Sequence, residues 1–297
     1  MRGPFLRSPQ STSHLMAQVV VALLPIATIA IWRHGAPAAV TLGGAVTAAL
    51  AVEIAVRRAA PRDLSAVITG MLAALLLPAD APPWLGAAAG ALAIGVGKHA
   101  FGGLGKNPFN PAALSRGLLM VLVPATLFAP AWAWDGVTMA SPLARESGGT
   151  APLLSAVWSG DVPGALGTSA PWAVLLGGLA LVALRTIDGR VPLVYLATVT
   201  VGSIVLPGSD RIVAHAPWLV ADPLLHLLAG GTLLTAFFLL TDPVTAPFAP
   251  LGRVAFAAIA GVVTIAARLY TPYPDAAALA VLVANAFTPA IDRWRST

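Results

Sequence analysis

Cysteine is absent from this chain of 297 residues, and charged residues make up only 10% of it. Without cysteine, the chain can form no disulfide and can supply no thiolate ligand to an iron–sulfur cluster or a zinc ion. Soluble proteins devote roughly a quarter of their residues to charged side chains. So low a charge, with 58% hydrophobic residues, excludes a water-soluble globular enzyme and a disordered chain. The composition therefore predicts a polytopic integral membrane protein.

Sequence signatures of ATP hydrolysis, metal catalysis and nucleic-acid binding are also missing. The chain has no G-x-x-x-x-G-K-[ST] phosphate loop and no H-E-x-x-H pair, and its five histidines share no spacing typical of metal ligands. We therefore expect neither ATP-driven pumping nor a metal site. The 17 Lys and Arg are dispersed between apolar blocks, which favours a role in membrane orientation over binding to nucleic acid.

Apolar blocks of about 20 residues, the length that crosses the hydrocarbon core of a bilayer, recur along the chain. They lie near residues 15–33, 36–56, 62–80, 83–100, 111–130, 170–187, 190–207, 217–240, 254–271 and 274–291. We predict an all-α fold with about ten transmembrane helices. The third block ends at Pro78, and the eighth contains Asp222, His226 and the pair Gly230-Gly231. Both blocks are therefore candidates for broken or re-entrant helices, which are tolerated where they contact protein or a cavity.

The distribution of Lys and Arg predicts the orientation of these spans. With the N-terminus inside, the inner segments hold Arg2, Arg7, Arg57, Arg58, Arg62, Lys98, Lys106, Arg185, Arg190, Arg253, Arg293 and Arg295. The outer segments hold only Arg33, Arg145, Arg211 and Arg268. This asymmetry places both termini in the cytoplasm. The one long hydrophilic stretch, 131–169, is then an outer loop between a first membrane half, 1–130, and a second, 170–297.

Two predicted inner-face segments combine glycine, asparagine and proline. Residues 98–112 read KHAFGGLGKNPFNPA, in which glycines allow close backbone approach and two Asn-Pro steps favour an extended entry to the next helix. This segment is either a tight loop or a backbone cradle for a ligand. Residues 239–247 read LLTDPVTAP, where Asp242 fits an N-cap in a helix-terminating turn or a ligand of a cation.

Ionisable side chains inside predicted spans are costly in lipid and are therefore functional candidates. Asp222 and His226 are four residues apart, so they can form a structural pair or serve as a waypoint for a proton or cation. Asp242 is the better cation ligand, because a carboxylate at the end of a broken helix suits a hard cation. Glu53 is expected to reach water at an inner helix end, and Arg116 to snorkel or to pair with a carboxylate.

Together these segments resemble RnfD, a membrane subunit of the Rnf electron-transport complex, which is related to the NqrB subunit of the sodium-pumping NADH:quinone oxidoreductase, Nqr. The resemblance runs through VALLP (21–25), FGGLGKNPFNPA (101–112), HLL (226–228), FFLLTDPVT (237–245), YPD (273–275) and NAFTPAID (285–292). It implies an inner-membrane subunit of a bacterial ferredoxin:NAD oxidoreductase complex that moves Na⁺ or H⁺.

The resemblance also implies a covalently bound flavin on the outer loop. Members of the family carry FMN attached through its phosphate to a hydroxyl in a pattern like D-x-x-[ST]-x-A-[ST]. Asp135, Thr138 and Ala140 match that pattern, and Ser141 occupies the acceptor position. The usual acceptor is Thr, but the primary hydroxyl of Ser can form the same phosphoester. Thr150, at the end of SGGT, is a weaker candidate because it lacks the preceding Asp and Ala.

Further expectations follow from the same resemblance. Other subunits would carry the Fe–S clusters and bind NADH, a flavin transferase would attach the FMN, and a second, non-covalent flavin (riboflavin) would be present. The membrane would be the bacterial inner (cell) membrane, with the flavin loop in the periplasm. The composition alone leaves one alternative open, a solute transporter or channel built on broken helices, without a redox role.

Overall fold

The computed structural model describes residues 11–59, 63–124, 127, 154–162, 164–208, 222–271 and 276–296. This part of the chain is helical and has no strand, which confirms the predicted all-α class. Its helices are α1 Thr12–Arg57, α2 Ser65–Leu75, α3 Trp84–Gly95, α4 Pro111–Leu122, α5 Leu154–Ser159, α6 Pro171–Ala183, α7 Arg190–Val205, α8 Pro223–Leu228, α9 Thr232–Leu234, α10 Pro250–Tyr270 and α11 Ala277–Ser296. A π-helical segment, Thr235–Leu239, directly continues α9.

Helix α1 contains two predicted spans, 15–33 and 36–56, within 46 residues. A straight helix of that length would measure about 69 Å, roughly twice the thickness of the hydrocarbon core. Gly35 divides it, with φ of 67° and ψ of −148°, a conformation that strains any residue with a Cβ. Among the described residues, α1 and α10 are long and apolar enough to cross a membrane. The count of ten spans stays a prediction.

Both blocks that the sequence marked as interrupted are broken. Helix α2 has only 11 residues, about 16 Å of helix, and the chain leaves helical geometry before Pro78. In the second half, α8 has six residues and is separated from α9 by Ala229, Gly230 and Gly231. Both glycines have positive φ, 63° and 70°, which explains why glycine occupies these two positions.

Small residues let α3 lie directly against α1. A Cβ built on Gly86 would lie 2.2 Å from the Thr41 carbonyl oxygen, and one on Gly90 would lie 2.0 Å from that of Ala45. The two glycines are four residues apart and therefore share one helix face. This is the small-xxx-small pattern by which membrane helices bring their backbones together.

The end of the predicted outer loop, which we call the insert segment (164–169), packs among the helices. The Ala79 N–H donates to the Gly164 carbonyl (3.0 Å), and the Leu166 N–H donates to the Leu77 carbonyl (2.9 Å). The two bonds form an isolated antiparallel bridge. They satisfy backbone groups that the end of α2 leaves without helical partners, as the interior of a membrane requires.

The insert segment also reaches the second broken helix. A Cβ built on Gly167 would lie 2.8 Å from the Leu234 side chain and 2.9 Å from the Leu75 carbonyl oxygen. Leu166 and Thr168 are buried. The segment therefore fills the space between the interrupted helices of the two halves.

The contact between α3 and α1 predicts opposite effects for two glycine substitutions. Gly90→Ala should lower thermal stability, by roughly 1–3 kcal/mol, because its methyl group overlaps the backbone of α1. Gly43→Ala is the matched control, because nothing lies within 4 Å of its Cβ position and alanine favours a helix. Thermal unfolding of both variants in detergent measures the difference. Equal melting temperatures for the two variants would show that α3 and α1 are not in close contact.

Candidate functional site

Asn110 brings segments from both halves of the chain together. Its side-chain oxygen accepts hydrogen bonds from the Ala112 and Ala113 N–H groups, each at 3.1 Å, and so caps α4. Its side-chain nitrogen donates to the Leu239 carbonyl (3.3 Å), where the π-helical segment ends. Its backbone N–H donates to Oδ1 of Asn285 in α11 (2.9 Å). The second Asn-Pro step is therefore a junction of three helices.

Asp242 lies beside Asn110, just after the end of the second broken helix. Its Oδ1 accepts from the Val244 N–H (3.0 Å), and its Oδ2 accepts from Nδ2 of Asn110 (3.4 Å). The first bond makes Asp242 part of a local turn, as one of the two sequence alternatives predicted. A carboxylate offers about four acceptor positions, so a cation can still find oxygen ligands there.

Two residues of α11 complete this group of polar side chains. Nδ2 of Asn285 and Oγ1 of Thr288 both donate to the Thr245 carbonyl, at 3.3 and 3.1 Å. We call Asn110, Asp242, Thr245, Asn285 and Thr288 the inner polar cluster, because the sequence places their helix ends on the inner side. The cluster unites three motifs that lie far apart in the sequence.

Glu53 is only 1% exposed, so the expectation that it reaches water is wrong. Its carboxylate lies 2.9 Å from Nζ of Lys98, 2.9 Å from Nε2 of His99 and 3.2 Å from NH1 of Arg57. Nζ of Lys98 also donates to Oγ of Ser65 (2.8 Å). The end of α1, the start of α2 and the end of α3 converge here and exclude water. The opposite charges compensate one another, as buried ions require.

Asp222 and His226 have different roles at the two ends of α8. Asp222 precedes the helix and caps it, because its Oδ1 accepts from the Leu225 N–H (3.1 Å). His226 is fully buried, and its backbone carbonyl accepts from NH1 of Arg268 (2.7 Å). The cap is a structural role for Asp222. A part for either side chain in moving an ion stays a prediction.

Arg116 and Arg268 are buried arginines that bind carbonyl groups where helices break. Nε of Arg116 donates to the Leu76 carbonyl (3.1 Å) at the end of α2. Arg116 is 5% exposed, so the expectation that it snorkels is wrong. Arg268, which the count of basic residues assigned to an outer segment, is 2% exposed in the last turn of α10. A small cavity between the breaks is lined by residues that include Arg116, Thr168, Gly230, Gly231 and Thr235.

An ion pair joins the break in α1 to the end of the predicted outer loop. NH1 of Arg33 lies 2.6 Å from Oδ1 of Asp161, and NH2 of Arg33 donates to the Ser159 carbonyl. Hydrogen bonds from the Ser159 hydroxyl and from Arg33 hold the pKa of Asp161 below its usual range. Next along α1, Nε2 of His34 lies 2.9 Å from Oγ of Ser169. The loop is therefore anchored to the membrane helices at its C-terminal end.

The predicted flavin motif lies outside the described residues. This applies to Asp135, Thr138, Ala140 and Ser141, and also to the weaker candidate Thr150. Their assignment depends on the sequence and stays a prediction.

Comparison with known proteins assigns the family. The sequence model of the NQR2, RnfD, RnfE family matches residues 1–297, the whole chain. The chain belongs to this family. The predicted resemblance to the RnfD subunit of the Rnf complex is confirmed, and the family also agrees with the membrane character that the composition predicts.

Individual relatives are similar to this chain over nearly their full length. An ion-translocating oxidoreductase complex of Halorhodospira halophila has a subunit, designated D, that is 36% identical over 98% of this chain and 92% of the relative. The corresponding subunit of a proton-translocating ferredoxin:NAD(+) oxidoreductase complex from Clostridium ljungdahlii is 33% identical, with the same coverage. That of a Na(+)-translocating ferredoxin:NAD(+) oxidoreductase complex from Acetobacterium woodii is 32% identical, again with the same coverage.

Sequence reasoning found Asp242 and the 98–112 segment but missed several long-range contacts. Lys98, Asn285 and Arg268 act through contacts with residues 36 to 175 positions away in the chain. For Arg268 a signal was present, since an arginine within an apolar membrane helix is costly unless it has partners. For Asn285 the only signal was its place in a family motif.

Proposed function

We propose that this chain is the flavin-carrying membrane subunit of an ion-translocating ferredoxin:NAD oxidoreductase complex of the Rnf type. The names of its relatives, two of which specify ferredoxin and NAD(+), support this function. The relatives named for H⁺ and for Na⁺ have nearly the same identity to this chain, so the proposal includes either ion. The observation that carries the proposal is the full-length match to the family.

We further propose that FMN is attached to Ser141 through a phosphoester between its phosphate and the serine hydroxyl. Asp135, Thr138 and Ala140 would complete the pattern that a flavin transferase recognises. A flavin bound there would supply electron transfer on the outer side. The ion pair of Arg33 with Asp161 fixes the point at which this loop returns to the membrane helices.

In this proposal the ion moves past the inner polar cluster, with Asp242 as a ligand. The end of a broken helix offers carbonyl groups as well as this carboxylate. In membrane transporters such helix ends coordinate Na⁺ or H⁺. Asp222 and His226 remain secondary candidates. A non-covalent riboflavin remains an expectation from the family.

The subunit would work only within a complex. A chain without cysteine cannot hold an iron–sulfur cluster on thiolates, so the Fe–S clusters would belong to partner subunits. The family resemblance places the NADH site in a partner subunit as well. The alternative is a solute transporter or channel built on the same broken helices, without a redox role. The presence or absence of a covalent flavin separates the two functions.

The flavin proposal predicts the effect of removing one hydroxyl. Ser141→Ala should abolish the fluorescent flavin band that survives denaturing electrophoresis, because no oxygen remains at the acceptor position. The membrane helices should still fold, since a loop hydroxyl contributes little to burial.

Two control variants make this test specific to Ser141. Ser141→Thr should keep the fluorescent band, because it restores a hydroxyl, and Thr150→Ala should leave the band unchanged. A band that persists in Ser141→Ala, or disappears in Thr150→Ala, would show that the wrong motif was chosen. A colourless wild-type protein would favour the transporter.

The ion proposal predicts a specific defect for Asp242→Asn. This change keeps the acceptor for the Val244 N–H but removes the negative charge, so it should leave flavin content intact and reduce ion transport per electron transferred. Reconstituted complexes in vesicles allow both quantities to be measured together. Asp188→Asn is the matched control and should leave coupling unchanged, because Asp188 also accepts from a backbone N–H, that of Arg190, but lies outside the inner polar cluster. Unchanged coupling in Asp242→Asn would assign Asp242 a structural role alone.

A further inference from the structure

The break between α8 and α9 surrounds the guanidinium group of Arg268 with oxygen atoms. NH1 donates to the His226 carbonyl at 2.7 Å. NH2 lies 3.2 Å from the Ala229 carbonyl, 3.1 Å from the Gly230 carbonyl and 2.8 Å from Oγ1 of Thr232. Three backbone carbonyls and one hydroxyl thus converge on a single cationic group that is almost completely buried.

These oxygens are of the kind that binds a metal cation in membrane proteins. Carbonyl groups at the C-terminal end of a half-helix carry partial negative charge, and unwound backbone supplies further carbonyls. Two of these carbonyls also orient the Thr232 hydroxyl. Its Oγ1 donates to the His226 carbonyl at 2.7 Å and lies 3.0 Å from the Ala229 carbonyl. Gly230 and Gly231 have positive φ, and the chain turns here so that the Ala229 and Gly230 carbonyls reach the guanidinium group of Arg268.

We propose that Arg268 is a tethered cation that occupies a carbonyl cation site at this break and keeps it closed. We call the His226, Ala229 and Gly230 carbonyls with the Thr232 hydroxyl the carbonyl cage. Arginine suits this position because its planar group presents several fixed donors and stays charged. The proposal goes beyond the proposed redox function, since it concerns which cations the chain excludes.

The first half of the chain shows a related arrangement. Arg116 binds the Leu76 carbonyl where α2 ends, and its side chain lines the same cavity that Gly230 and Gly231 reach. The hydroxyl of Thr235 also lines this cavity; it is fully buried and has no hydrogen-bond partner among the described residues. An ion or water that entered the cavity would therefore meet a free hydroxyl beside two helix ends that arginines already hold.

The closed cage has a consequence for ion movement. A transferred cation cannot use these carbonyls while Arg268 fills them, so it must bind elsewhere, and the inner polar cluster offers oxygen ligands of the required kind. The arginine would thereby prevent Na⁺ from binding at the break and leaking through the membrane without electron transfer.

Arg268→Ala tests this proposal because it empties the carbonyl cage without altering its oxygens. The melting temperature of the purified full chain in detergent should fall by several degrees. Millimolar guanidinium should restore much of the loss, and NaCl should restore more of it than choline chloride at equal ionic strength, because a small cation refills the cage and binding stabilises the folded state. Wild-type protein should show neither effect.

Two further variants complete the experiment. Arg253→Ala removes a partly exposed arginine from the first turn of the same helix and should show no cation-specific recovery. Arg268→Gln keeps a donor but not the charge and should show the same Na⁺ preference as Arg268→Ala. Equal stabilisation by Na⁺ and choline in both Arg268 variants would overturn the proposal. So would failure of both variants to accumulate as folded protein even when guanidinium is present during expression and purification.

The readout separates this proposal from the redox function. Thermal stabilisation by a cation requires neither flavin nor electron flow, so a protein without covalent FMN can still show it. Conversely, loss of the cation effect would leave the flavin assignment unaffected.

Discussion

A backbone group inside a bilayer must find its hydrogen-bond partner within the protein. Most features of this chain follow from two places where a helix ends early and its backbone groups need other partners. Helix α2 ends after 11 residues, and α8 ends after six. Each end leaves carbonyl and N–H groups that water cannot reach. The insert segment, Arg116 and Arg268 supply the missing partners, and each of them comes from a distant part of the sequence.

The same partners set the positions of the groups that can carry function. Asn110 holds the end of the π-helical segment and so fixes Asp242 beside it. The insert segment links the predicted flavin loop to the backbone of the first break and packs against the second.

Composition and block length predicted the helical membrane class, and the positions of Pro78 and of Gly230-Gly231 predicted which helices break. Local sequence carries this information because proline and glycine act on their own backbone. The contacts of Glu53 and Asn110 were not predictable in the same way. Lys98 lies 45 residues from Glu53, and Asn285 lies 175 residues from Asn110, so only the packing of helices brings them together. Arg268 is buried in the last turn of α10, and a count of basic residues cannot separate a loop arginine from one that binds carbonyl groups at a buried helix end.

The central claim is that this scaffold carries a covalent flavin on its outer loop. Mass analysis of proteolytic peptides from the unmodified wild-type chain, purified from its own membrane, tests it most directly. The account predicts FMN in phosphoester linkage on the peptide that contains Ser141, with the peptide that contains Thr150 unmodified when the two are separated. An adduct on Thr150, or full recovery of both peptides without any flavin, would contradict it.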